Sequence, residues 1–336
     1  MDNAPFTDAE LAYPASQRLG RLATVAPDGA PQNNPDRVSP GRLMPTSVSV
    51  LDEALDRVSA LEFEGPNPFV SHAPMACEAL AALGFEAVID EWVRAFEASM
   101  GRAVEPATPQ WHGDLGWKGR LGDGRLLPEW MGYFERVIAD EGWPTVVEVW
   151  VPRLMPGLVA ALFHGVIRTS HAVRAIDAAD TPARRAELAR ALGNWATWYH
   201  TGRPVDEIPE VDDALPAAAE AAAAGARCYV TAPNIFNLHG VTGATAVHLL
   251  AGHISPADGA AAVMQLRAEH RSLYRGTQPT NVDDGAKWDD DAGIAASQSH
   301  DPHQIKLVEA CRRGFDLTGD SGFVLAADTV TGIRRG

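Results

Sequence analysis

From Thr46 onward the apolar residues recur at helical spacing, and glycine and proline punctuate the runs. Leu51, Leu55, Val58 and Leu61 form one amphipathic stripe, which Gly65-Pro66-Asn67-Pro68 interrupts. A second helix is predicted over Ser71–Gly84, with Pro74 in its first turn and Gly84 at its end, so that His72 falls at or just before its start. Phe85–Met100 reads as another amphipathic helix and Gly101–Gly124 as loop. Helices follow over Pro128–Glu141, over Thr145–Ile176 with Pro152 and Pro156 kinking or dividing it, and over Pro182–Tyr199. Ala217–Ala224 is nearly pure alanine and reads as a surface helix. Asn234–Leu250 and Ser255–Tyr274 are further helices, and Gly276–Ser299 is a polar loop. Asp301 is a good N-cap and Pro302 a good first residue for the next helix, and a last one covers Gly322–Thr331. The class is therefore all-α, a multi-helix bundle, over residues 44–336.

Residues 1–34 follow a different pattern. Thr7–Ser16 resembles a short capped helix, Arg21–Ala26 a strand, Pro27-Asp28-Gly29 a turn and Ala30–Asn34 the returning strand. The run from Phe6 to Gly29 resembles the opening of the pyridoxamine-phosphate-oxidase-like split barrels, which bind FMN or deazaflavin. The remaining strands of such a barrel do not follow, and a lone hairpin has no cavity for a flavin and is marginal in water. Residues 1–34 are thus read as a fused or vestigial appendage, or as the product of an upstream start, with 35–43 as linker. Met44 offers an alternative start.

One stretch organises the helical part. Ala161–Ala175 reads as a single buried helix that nevertheless carries His164, Arg168, His171 and Arg174. His164 and His171 are seven residues apart, hence on one face and roughly 10.5 Å apart along the axis. That is too far for both to bind one metal; one is a candidate ligand or base and the other lies further along the same cavity.

Composition narrows the classes. A net charge of −16 argues against nucleic acid or an anionic membrane as partner. No apolar run is long enough to span a bilayer, and the N-terminus lacks a secretory pattern. Cys77, Cys228 and Cys311 are far apart without CxxC spacing, which fits free thiols in a reducing cytoplasm. No GxGxxG follows a strand, so no dinucleotide site is indicated. The unusual feature is eleven histidines, several of them within apolar helical runs.

His72, His164, His239 and His303 each sit in a separate apolar or capped helical segment, and Lys306 lies one turn after the last, on the same face. His239 and His248, nine residues apart, point to opposite faces and cannot share a site. Helical bundles build metal sites from inward side chains on facing helices, and imidazole suits iron, copper and zinc. No HExxH or cysteine motif favours zinc.

The segments Asn67-Pro68 with His72, Leu162–Arg168, Leu238–Thr242 and Asp301–Lys306 together resemble the questin oxidase-like family, over residues of about 45 to 332. The resemblance implies a largely helical fold and a non-haem iron, Fe(II), held by His72, His164, His239, His303 and an N-carboxylated Lys306. It also implies an O2-dependent oxygenase that opens a quinone ring or a related aromatic polyketide, by oxidative C–C cleavage or in a Baeyer–Villiger manner. Where the family often carries a second histidine four residues after the first, this chain has Arg168, with His171 nearby. A bare ammonium cannot bind a metal, whereas a carbamate formed from a neutral Lys306 presents carboxylate oxygens; burial beside a cation favours that neutral amine. Arg168 or His171 is expected to orient a phenolate or act as a base. Trp111, Trp117 and Trp195 are candidates to line a pocket for a flat polycycle, or simply core. The rival readings are an NADPH-dependent monooxygenase of the same family, a metal-free helical protein that binds an aromatic metabolite, and a flavin or deazaflavin reductase.

Overall fold

The computed structural model describes residues 49–59, 70–97, 104–109, 116–282 and 285–334, and the backbone of 24–25 and 31–32. The chain divides into two compact units, Met1–Ser47 and Val48–Gly336. In the first, Thr24–Val25 and Pro31–Gln32 pair antiparallel, with Thr24 opposite Gln32 and Val25 opposite Pro31. The expected helix over Thr7–Ser16, the turn at 27–29, the linker, Met44, Leu61, Asn67-Pro68 and Trp111 all lie outside the described residues.

Among the described residues the second unit is all-α, with thirteen α-helices and four short 3-10 segments. Helix α1 (Val50–Ser59) buries Leu51, Leu55 and Val58 along one face. Helix α2 (Ala73–Ala82) starts at His72, carries Pro74 in its first turn and buries every residue from Ala73 to Leu80. Helix α3 (Ile89–Glu97) follows a 3-10 turn, so the expected helix over 85–100 begins later. Helices α4 (Leu127–Glu141) and α5 (Trp143–Leu154) meet at Gly142, whose φ of +82° only glycine adopts without strain. Helices α6 (His164–Ala178) and α7 (Pro182–Trp198) form an antiparallel pair.

The C-terminal half holds α8 (Ala214–Thr231), α9 (Ile235–Ala251), α10 (Pro256–Leu273), α11 (Asp291–Ser297), α12 (Pro302–Thr318) and α13 (Ser321–Thr331). Side-chain caps start most of them: Asn234 accepts from Asn237 N–H, Ser255 from Asp258 N–H and Asp301 from His303 N–H. No helix among the described residues is long and apolar enough to cross a membrane.

Four helices form a closed inner ring in which α2 packs on α6, α6 on α9, α9 on α12 and α12 on α2. Seven others cover it: α1 and α3 lie on α2, α7 on α6, α8 and α10 on α9, and α11 and α13 on α12, while α4 and α5 pack on α7 and on each other.

Three expectations need correction. The alanine-rich α8 is not a surface helix: Ala217, Ala218, Ala222, Ala223 and Ala226 are buried, and their small side chains let α8 lie close against α9. The polar loop before α12 contains α11, which buries Ala292, Gly293 and Ala296. The central helix does not begin at Ala161. Ala161, Leu162 and Phe163 have φ of +48°, +56° and +66°, one left-handed turn of non-glycine residues, and α6 starts only at His164. Each such residue costs about 1–2 kcal/mol relative to the right-handed form.

Candidate metal centre

Each helix of the inner ring contributes one histidine near its N-terminus. His72 is the N-cap of α2, His164 the first residue of α6, His239 lies in the second turn of α9 and His303 is the second residue of α12. One ligand nitrogen from each lies within 4.8 Å of all the others. His164 Nε2 is 2.7 Å from His72 Nε2 and 3.4 Å from His239 Nε2. His303 closes the group, its ring centroid 4.4 Å from that of His72 and 5.2 Å from that of His239.

The outer nitrogens fix the chemistry of the inner ones. His164 Nδ1 is 2.5 Å from the Ala161 carbonyl, and His239 Nδ1 is 2.7 Å from the Ile235 carbonyl. A carbonyl only accepts, so both Nδ1 atoms carry the proton and both Nε2 atoms turn lone pairs inward. His303 Nδ1 faces the Asp301 carboxylate at 3.3 Å. A carbonyl or carboxylate behind the ring is the usual support of a metal-binding histidine. The left-handed turn has its purpose here. It brings the Ala161 carbonyl back to His164 Nδ1, and Phe163 is seated against Gly243 of α9, where a Cβ would stand 2.7 Å from the ring.

Burial pushes His72 and His164 well below the usual imidazole range, and the nearby Lys306 charge adds to it. The same two causes bring His239 down to about 2, and burial lowers His303 although Asp301 opposes it. The four N-termini reinforce the trend, since each places about half a positive charge at its end. The result is a set of neutral imidazoles, of which His164 and His239 turn lone pairs inward. Ring nitrogens as close as those of His72 and His164 require a proton or a cation between them. Imidazole nitrogens about 2.0–2.1 Å from one ion stand about 2.9–3.4 Å apart when adjacent; the 3.4 Å of His164 and His239 falls in that range and the 2.7 Å of His72 and His164 just below it, so small shifts of the rings would seat a single ion. Among the described residues the cluster holds no thiolate or carboxylate ligand. Cys77, Cys228 and Cys311 are free, buried and held protonated by burial. His303, with 24% of its side chain exposed, is the solvent edge of the centre.

Lys306 is completely buried, and its charge acts on all four histidines. Arg168 and His171 have different neighbours. Arg168 is buried in a two-pronged ion pair with Glu187 of α7, at 2.7 and 2.8 Å. His171 Nδ1 donates to Glu78 Oε2 at 2.6 Å. Trp195 is core: its ring packs on Gly165, where a Cβ would meet it at 2.5 Å, and its Nε1 donates to the Gly157 carbonyl. Trp117 packs on Trp150 beside Arg153, at the edge of a cleft of about 760 Å³. His248 is on the outer side of α9, lining another groove.

Sequence reasoning missed Glu78, Arg174, Glu309 and Arg313. Arg174 donates to both Glu78 oxygens and to Glu309, and Arg313 lies 3.3 Å from Glu309. The available signal was spacing: Glu78 and Glu309 each stand six residues after a histidine of the cluster, in the middle of an apolar helix.

Residues 69–179 match the family model described as Questin oxidase-like. That span carries His72 and His164 with the supporting Glu78, His171 and Arg174, while His239, His303 and Lys306 lie beyond it. No curated protein matches the chain.

Proposed function

We propose that this chain is a non-haem iron oxygenase that uses O2 to open the ring of a quinone, hydroquinone or related aromatic polyketide. The observation that carries the reading is the convergence of four imidazole nitrogens from four helices, within a chain whose segment 69–179 matches the Questin oxidase-like family. His72, His164, His239 and His303 would hold the iron. Iron so bound supplies one-electron chemistry that lets O2 react with an electron-rich ring.

The remaining steps belong to the protein. The ring of helices excludes water from three of the ligands, and His303 leaves the approach on its own side. Four helix N-termini beside Lys306 favour a ligand that binds as an anion, such as an ionised phenol or quinol oxygen. Phe236, largely exposed and three residues before His239 on the same side of α9, offers an aromatic face to a flat ring. Loss of the Lys306 proton and attack of the resulting amine on CO2, with release of a second proton, would give a carbamate oxygen donor; retention of label from carbon-13 bicarbonate tests it. Arg168 and His171 act in this reading through their ion pairs rather than on the substrate.

The test is elemental analysis of protein from iron-replete, chelator-free preparation, followed by oxygen consumption with reduced quinones, with and without NADPH. Stoichiometric iron and NADPH-independent uptake support the oxygenase. Uptake only with NADPH moves the reading to a monooxygenase with an outside reductant. Absence of any transition metal overturns it in favour of a protein that binds an aromatic metabolite.

A further inference from the structure

The four ligand-bearing helices meet twice. Their first meeting is the histidine cluster. Six or seven residues further on, hence about 9–10 Å deeper along the helices, they meet again. Helix α2 supplies Glu78, six residues after His72. Helix α6 supplies His171, seven after His164, and Arg174 one turn later. Helix α9 supplies the Thr245 carbonyl, six after His239. Helix α12 supplies Glu309, six after His303, and Arg313 one turn later. The four helices therefore run parallel, away from the cluster, and a second polar layer joins them.

Arg174 is the centre of that layer. Its Nε and Nη2 donate to Glu78 at 2.7 and 2.5 Å, and its Nη1 donates to Glu309. His171 donates to the same Glu78 at 2.6 Å. Arg313 pairs with Glu309 at 3.3 Å and donates to the Thr245 carbonyl at 3.1 Å, which brings in α9. Two carboxylates and two guanidiniums cancel, so the layer is neutral while His171 is neutral, the form its burial favours. Glu78 and Glu309 side chains are 6% and 4% exposed. A fully apolar layer would hold the helices together equally well but would not fix their rotation and register; directional ion pairs do.

We infer that Arg174, with Glu78, Glu309, His171 and Arg313, is the positioning device of the metal centre: it sets the register of the four helices so that their histidines converge. This rests on the cluster being a metal site. Arg184 is the comparison, because it forms a buried pair with Asp52, at 2.7 Å, between α1 and α7, neither of which carries a ligand, and it touches α6 only at the Ala175 carbonyl, three turns beyond His164.

The experiment titrates Co(II) alone into metal-free wild-type protein and the Arg174→Lys and Arg184→Lys variants, reading affinity and the visible absorption spectrum, with thermal unfolding of each metal-free protein alongside. Lysine keeps the charge and loses the fork. Arg174→Lys is expected to weaken Co(II) binding about tenfold or more, the scale on which groups supporting metal ligands act, and to shift the spectrum. Arg184→Lys is expected to lose comparable thermal stability with wild-type affinity and spectrum. Wild-type affinity and spectrum in Arg174→Lys, or equal changes in both variants, overturn the inference and leave the metal-site reading standing. A wild-type protein that takes up no Co(II) overturns both. Should Arg174→Lys fail to fold, Glu309→Gln provides the same comparison against Asp52→Asn.

Discussion

The two layers of the inner ring are built from the same four helices and solve opposite problems. In the first, all the polar groups are alike. Four imidazoles bring one ring nitrogen each to a common point, and His164 and His239 turn lone pairs toward it. In the second, unlike charges meet. Each carboxylate faces a guanidinium and the charges cancel, although Glu309 Oε2 and Arg313 Nε make no hydrogen bond. Unlike charges that meet in pairs fix how helices sit, whereas like groups brought to one point are the arrangement that suits a shared ligand.

The largest effect is expected from breaking the first layer. His164 is the hub, within 3.4 Å of two other ligand nitrogens. His164→Ala should abolish stoichiometric iron, read by elemental analysis, while leaving the ion-paired layer and the far-ultraviolet helical signal in place. Full iron content in this variant would show that the iron is held without His164 and would overturn its place as the hub.

How much of this could be read from the chain depends on what each feature requires. The ring of helices announces itself through apolar periodicity and capping residues such as Asp301 and Pro302, because these act locally. The histidines stand out because imidazoles are rare in apolar runs. Glu78 and Glu309 do not stand out: a single carboxylate in a helix is ordinary until its partner, 96 or 135 residues away in the pairs with Arg174, is known. The left-handed turn is hidden for another reason. Ala161-Leu162-Phe163 reads as helix by propensity, and only tertiary contacts, Phe163 on Gly243 and His164 on the Ala161 carbonyl, hold it otherwise. Likewise α8 reads as surface because alanine favours any helix, and its burial depends on how near α9 comes.

Acid should separate the two kinds of group. Burial holds His270, which bonds the Gly240 carbonyl, down at about 4. The unfolded chain takes up that proton first, so the stability His270 contributes is present above about pH 6.5 and lost as pH falls toward 4. Glu78 behaves differently: burial pushes it up, but Arg174 and His171 outweigh burial and bring it down to about 2. Its contribution is present above about pH 4.5 and lost as pH falls toward 2. Denaturant titration of the metal-free protein should therefore show stability declining from about pH 6.5 downward, with the loss between about pH 4.5 and 2 smaller in Glu78→Gln but not abolished, because His239, held near 2, also takes up its proton there. A single decline confined to the region above pH 5 would break the distinction.

The smallest effect sharpens the comparison most. The ion-paired layer sits on ordinary helix, whereas the histidine layer depends on a strained turn. Ala161→Gly removes one methyl group and leaves the carbonyl that holds His164 Nδ1. Relief of the left-handed alanine is worth about 1–2 kcal/mol, and the added freedom of the unfolded glycine takes back about 0.4–1, for a net gain of about 0.8 kcal/mol. Thermal unfolding of the metal-free variant should rise accordingly. Metal affinity is the more telling measurement. If the turn serves only to deliver the Ala161 carbonyl, affinity stays at the wild-type value. If rigidity of a non-glycine residue there keeps His164 aimed, affinity falls even as stability rises, because a turn that is easier to form is also easier to leave.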